Sequence, residues 1–205
     1  MGFPGLVAFR GAGAARSAVI LTLAMMLAGC GTRQAVNDTF SLATVPVVER
    51  PAATKRQILV PEPTALKTLA SDQIVVRLSK SELQYLARAQ WGDSLPRMVQ
   101  DRLVQTFDNT GRVAGVGRPG QGLAIDYQLI TEIRAFEIST DGAPTAIVEI
   151  FAKILNDRNG TVLTQKAFRA VAPVRGAGNP AFVTALDAAF AQVAADIVGW
   201  TLASI

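Results

Sequence analysis

Apolar positions along the chain recur with two different periods, and each change of period marks a boundary between elements. Leu95, Met98, Val99, Leu103 and Phe107 fall at three- and four-residue spacing, which predicts a helix over about 94–109. Gly92, Asp93 and Ser94 offer cap residues before it, Pro96 is tolerated in its first turn, and Gly111 can end it. A longer helix over about 180–203 opens at Pro180 behind a capping Asn179. Phe182, Leu186, Phe190, Val193, Ile197 and Trp200 form its buried stripe, with Val183 beside it, so this face must cover a sheet.

Between and before the helices the period is two. Ile74–Leu78 and Leu83–Trp91 read as strands joined by a tight polar turn. A third run, from Leu123 to about Ser139, changes phase between Ile133 and Phe136. Such a slip sends every later side chain to the other face, so a bulge or bend belongs there. Asp141-Gly142 turns the chain into Ala146–Leu155, and Asn156–Gly160 turns it again into Thr161–Val174, making a meander. Upstream, Phe40–Val45 reads as a first strand. Ile58–Val60, stopped by Pro61 and Pro63, reads as an edge strand or extended crossing, because proline cannot donate to a sheet ladder. Thr64–Asp72 could hold a helical turn. The predicted class is α+β: an antiparallel or mixed sheet of about five to six strands packed by two main helices.

The far face of the last helix carries Thr184, Asp187, Ala188, Ala191, Gln192, Ala195, Asp196 and Gly199, with no lysine or arginine after Arg175. Two accounts fit. Either the helix is sunk between sheet and loops and needs small side chains, or Ala188, Ala191, Ala195 and Gly199 admit a second protomer or a partner.

One apolar run belongs to neither period. Arg10 and Arg16 precede an uncharged stretch from Ala18 to Leu27, followed by Ala28, Gly29 and the chain's only cysteine, Cys30. This is the layout of a secretory signal peptide ending in a lipobox. The run is too short for the roughly 20 apolar residues of a membrane span. Cleavage between Gly29 and Cys30 would leave Cys30 bearing an S-diacylglycerol and an N-acyl group, several chains that together hold a protein on a bilayer. The expected organisation is a signal peptide over 1–29, a lipidated tether over 30–37 and one domain over 38–205. Gly31, rather than an aspartate, follows the cysteine, which favours sorting to the periplasmic face of the outer membrane.

Charge and composition narrow the chemistry. Without Arg10 and Arg16 the 20 basic residues become 18 against 16 acidic ones, and no basic cluster exceeds Lys55-Arg56, so nucleic acid is not an expected partner. The chain has no histidine and one cysteine, which excludes zinc sites, Cys/His dyads and Ser/His/Asp triads. No cofactor is expected beyond the lipid on Cys30. Gly115-Val116-Gly117-Arg118-Pro119-Gly120 matches G-x-G-x-x-G but lacks the strand-then-helix setting of a dinucleotide site, and reads as a loop. Asp126, Glu132, Glu137 and Glu149 lie on strands, most simply on a wet face, and Trp91, Phe136, Phe151 and Phe168 read as packing residues. Enzymatic activity is not expected.

The lipobox, the Gln73-Ile74-Val75-Val76-Arg77 strand, Glu82-Leu83 leading to Trp91, the helix of Leu95, Val99 and Leu103, Phe168 and the Ala-rich final helix together resemble the PqiC-like ABC-type transport auxiliary lipoproteins. The resemblance spans nearly the whole domain. It implies a noncatalytic component of an MCE-type phospholipid transport system between inner and outer membranes. Its partners would be an MCE-domain protein and, indirectly, an inner-membrane permease and ATPase. A structural or assembly lipoprotein of another envelope machine is the alternative.

Overall fold

The structure, a computed structural model, describes residues 1–2, 37–49 and 52–205. Gly29, Cys30 and the expected signal peptide from residue 3 onward lie outside the described residues. Residues 37–205 form one compact unit.

Its order is β1 (Asp38–Phe40), β2 (Gln57–Leu59), β3 (Thr64–Ala65), β4 (Gln73–Arg77), β5 (Leu83–Trp91), α1 (Leu95–Thr110), β6 (Gly115–Gly117), β7 (Tyr127–Ser139), β8 (Thr145–Asn156), β9 (Val162–Pro173) and α2 (Asn179–Ser204). All nine strands among the described residues join one mixed sheet, more than the five to six expected.

β7 is the spine of that sheet. On one side it pairs antiparallel with β8, which pairs antiparallel with β9, so the expected meander is present. On its other side β2, β3 and β4 lie end to end along it, all parallel: Ile58 faces Tyr127, Thr64 faces Glu132 and Val75 faces Glu137. Three short strands thus act as one interrupted strand. Pro61 and Pro63 sit in the first interruption, which corrects the edge-strand expectation for Ile58–Val60: β2 is flanked by β7 and by β6, and the prolines fall beyond its end. Val60 stays paired after the strand, donating its N–H to Gly117 O and accepting from the buried Gln100 Nε2 at 2.8 Å each. The glycine motif also differs from expectation, because Gly115–Gly117 is the strand β6 rather than loop.

β4 and β5 form the expected antiparallel hairpin, and β1 adds in parallel to β5. From Tyr85 to Gln90 β5 runs five steps against the two from Val75 to Gln73, so it bulges, and Arg88 takes φ 58° there. The first strand is displaced from Phe40–Val45 to Asp38–Phe40, and the chain is irregular from Ser41.

The predicted phase change in β7 is a bulge: Ile133 faces Ile150 and Ala135 faces Glu149, leaving Arg134 without an opposite residue. Leu129, Thr131 and Ile133 are buried before it, and Phe136 and Ile138 after it. The extra residue keeps apolar side chains on the helix-covered face although their spacing changes. β8 needs no such correction, since Ala146, Val148, Ile150, Ala152 and Ile154 alternate and are all fully buried.

Both helices lie close to their predicted bounds. Gly111 ends α1 at φ 59°, donating its N–H to Asp108 O. The cap of α2 is corrected by one residue: Gly178 is the N-cap, and Asn179, inside the helix, donates Nδ2 to Ala87 O at 3.0 Å. α2 packs across β8, β9 and the end of β7 and touches α1. Trp91 of β5 meets Phe136 of β7 edge-on at 5.9 Å, and Phe136 meets Phe190 of α2 at 5.8 Å, so aromatic rings join sheet to helix. α2 is long and apolar enough to cross a membrane, but twelve of its residues are buried in this core, which accounts for its composition.

Candidate functional site

The acidic residues do not assemble a carboxylate site. Asp126 pairs with Arg56 and Arg158 and accepts the Gln57 N–H, Glu132 pairs with Arg134, and Glu149 with Arg169. Glu137 departs from the wet-face expectation: it is buried and chelated by Arg77 through Nε at 2.5 Å and Nη2 at 2.9 Å. That hydrogen-bonded contact raises the Arg77 guanidinium pKa above its ordinary value; partial burial opposes the rise and the Glu137 charge adds to it. No group of metal-ligating side chains occurs among the described residues. Trp91, Phe136 and Phe168 are core, and Phe151 is half-buried on the open sheet face beneath the Arg134 guanidinium, 4.2 Å from the ring centre. Two surfaces among the described residues are further candidates for a site.

The first is the outer face of α2, where the four small residues separate. Ala188 is exposed, while Ala191, Ala195 and Gly199 are half-buried. Part of that burial comes from the chain itself. After β1, residues 41–49 run as an extended strap along the helix layer, with Leu42 and Pro46 buried. A Cβ on Gly199 would stand 3.5 Å from Val48 Cγ1, and Val47, Val48 and Glu49 border a cleft of about 510 Å³ with Ala195, Gly199 and Trp200. The strap also borders the end of α1, where Val45 to Val48 face Thr106 and Thr110.

Asp187 fastens this strap. Its carboxylate accepts the Ala43 N–H at 3.0 Å, the Thr44 N–H at 3.1 and 3.2 Å, and the Thr44 hydroxyl at 2.5 Å. Sequence reasoning placed Asp187 on the small-residue face without giving it a role. Its signal was weak: one of two acids on that face, with partners 143 and 144 residues away.

The second surface is β9. Among the described residues it pairs only with β8, so its outer side is a free sheet edge twelve residues long. Val162, Leu163 and Val171 are exposed by 48%, 49% and 55%. Where β9 ends, Ala172, Pro173 and Arg175 face Ala181, Ala185 and Ala188 of α2 across an apolar groove of about 220 Å³. A third hollow, along α1, is bordered by the ion pair of Asp101 with Arg118 at 2.5 Å.

The fold is an α+β module, a mixed sheet covered on one face by two helices. The chain belongs to the ABC-type transport auxiliary lipoprotein component family, whose model matches residues 40–198. It is similar to the crystal structure of protein XCC0632 from Xanthomonas campestris, with 30% identity and a TM-score of 0.76 over 82% of this chain and 95% of that one. It is also 32% identical over 148 residues to an uncharacterized protein, bll6063, from Bradyrhizobium diazoefficiens; the match covers 72% of this chain and 40% of that relative's length. Protein CT253 from Chlamydia trachomatis shares the fold at 9% identity, with a TM-score of 0.54 over 74% of this chain and 98% of that one.

Proposed function

We propose that the protein is a noncatalytic, lipid-anchored auxiliary component of an ABC/MCE-type phospholipid transport system, held by Cys30 at the periplasmic face of the outer membrane. One observation carries the reading: the transport auxiliary lipoprotein family covers residues 40–198, starting ten residues after the lipobox cysteine. An MCE-domain protein is the direct partner, and a permease and ATPase at the inner membrane supply the energy.

The physics of the anchor supports this role. Gly31 to Asn37 is a seven-residue tether, which at about 3.5 Å per residue keeps β1 within about 25 Å of the bilayer surface. A domain so confined presents its docking surface at a raised effective concentration without any new contact.

The test is isolation of the full chain through a C-terminal tag from envelopes solubilised in gentle detergent, with mass spectrometry of what accompanies it. Recovery of an MCE-domain protein with permease and ATPase is expected. Recovery of outer-membrane assembly proteins alone would overturn the reading in favour of an assembly lipoprotein.

A further inference from the structure

We infer that the free edge of β9, with the groove at its C-terminal end, is a docking strip for an extended, acidic segment of a partner protein that adds to the sheet as a tenth strand. Three independent observations converge on that occupant. The inference rests on the anchored-auxiliary reading only for the side from which the partner arrives.

The first observation is the edge itself. Sheet edges are usually guarded by being short, by charge or by proline, because unpaired N–H and C=O groups template further strands. Lys166 and the bulge opposite Ile154 and Leu155 would count as guards. Yet β9 is twelve residues long and leaves Val162, Leu163 and Val171 about half exposed, apolar surface that a guard would not leave open. Strand addition takes its affinity from main-chain hydrogen bonds and its selectivity from side-chain pockets, and the groove beside Pro173, Ala181 and Ala188 is such a pocket.

The second observation is charge. From Arg158 to Leu186 the chain holds Arg158, Lys166, Arg169 and Arg175 and no acidic residue. Lys153, opposite Gln165 on β8, adds another cation, against which Glu149 engages Arg169 and Asp126 engages Arg158. An acidic strand complements this edge. A second copy of β9 brings no acid to it, and in antiparallel pairing centred between Ala167 and Phe168 it would set Lys166 of one copy opposite Arg169 of the other, where like charges destabilise.

The third observation is position. The sheet path from β1 through β5, β4, β7 and β8 to β9 puts β9 at the edge opposite the tethered β1. Five inter-strand steps of about 4.8 Å separate them by roughly 24 Å. Along the sheet, β9 is thus the edge farthest from the strand to which the tether is joined, which leaves it free for a partner.

The experiment places the photo-crosslinker benzoylphenylalanine at Leu163 or Val171 of the full lipidated chain in native envelopes, and identifies the joined peptide by mass spectrometry. A peptide of net negative charge from another protein is expected at both positions, its yield falling at least tenfold in the Lys166→Glu, Arg175→Glu double variant. Both residues are exposed, and neither makes an ion pair among the described residues, so folding is expected to persist and circular dichroism checks it. Adducts to a second copy, adducts to lipid alone, no adduct, or a yield unmoved by charge reversal would each overturn the strip. The two proposals fail separately: wild-type isolation without an MCE-domain protein defeats the transport reading even if an acidic segment is joined to β9, whereas its recovery undiminished by charge reversal defeats the strip alone.

Discussion

A carboxylate with four hydrogen bonds to one stretch of backbone and hydroxyl is a fastening, and Asp187 is that for the strap. Removing it deletes charge-assisted bonds and leaves the Ala43 and Thr44 amides to water. Asp187→Ala is expected to lower stability by about 1–2 kcal/mol in urea unfolding and to speed hydrogen exchange at the Ala43 and Thr44 amides. Unchanged exchange there would show that Leu42 and Pro46, not the carboxylate, hold the strap. Cys30 belongs to the same scale with the opposite signature. With residues 1–29 replaced by a leader whose cleavage needs no lipid, Cys30→Ala is expected to move the protein from the membrane pellet to the soluble periplasmic fraction without altering its unfolding transition, and continued sedimentation with the outer membrane would defeat the anchor.

At the scale of elements, the bulge in β7 separates what a side chain does from what a residue count does. The Arg134 side chain pairs with exposed Glu132 and lies over Phe151, contacts typically worth about 1 kcal/mol together at a wet surface. Its backbone keeps Phe136 and Ile138 on the helix-covered face. Arg134→Ala is therefore expected to be near neutral. Deleting the residue turns Phe136 and Ile138 outward and Glu137 inward, and is expected to abolish the cooperative unfolding transition. A deletion variant that still melted cooperatively near the wild-type temperature would mean that the sheet absorbs the slip elsewhere.

The whole domain hangs on the join between sheet and helices. Phe190 is fully buried and stands against Phe136, which stands against Trp91, so one helical side chain couples α2 to β7 and β5. Truncation of a buried aromatic costs about 3–5 kcal/mol, a large part of the 5–15 kcal/mol that holds an ordinary domain. Phe190→Ala is expected to lose that amount in urea unfolding through a single shared transition, reported alike by tryptophan fluorescence and circular dichroism. Two separate transitions would show that α2 melts apart from the sheet.

Both main helices, the β4–β5 hairpin, the β7–β9 meander and the β7 bulge were legible in the sequence, because each rests on a period repeated over enough residues to be counted. The buried stripe of Leu95, Val99 and Leu103 needs only its own helix to be recognised, and the phase change after Ile133 needs only its own strand. The tertiary structure alone decided the rest. Thr64 and Ala65 are too few to show any period, and they become a strand only because Glu132 and Ile133 lie alongside. Asp187 becomes a clasp only because Ala43 and Thr44 return to it from the other end of the chain. β9 reads like its neighbours in sequence, yet only the pairing order leaves it at the margin with apolar side chains exposed. Local periodicity determines which face of an element is apolar; long-range pairing determines what covers that face, and therefore which surfaces remain for a partner.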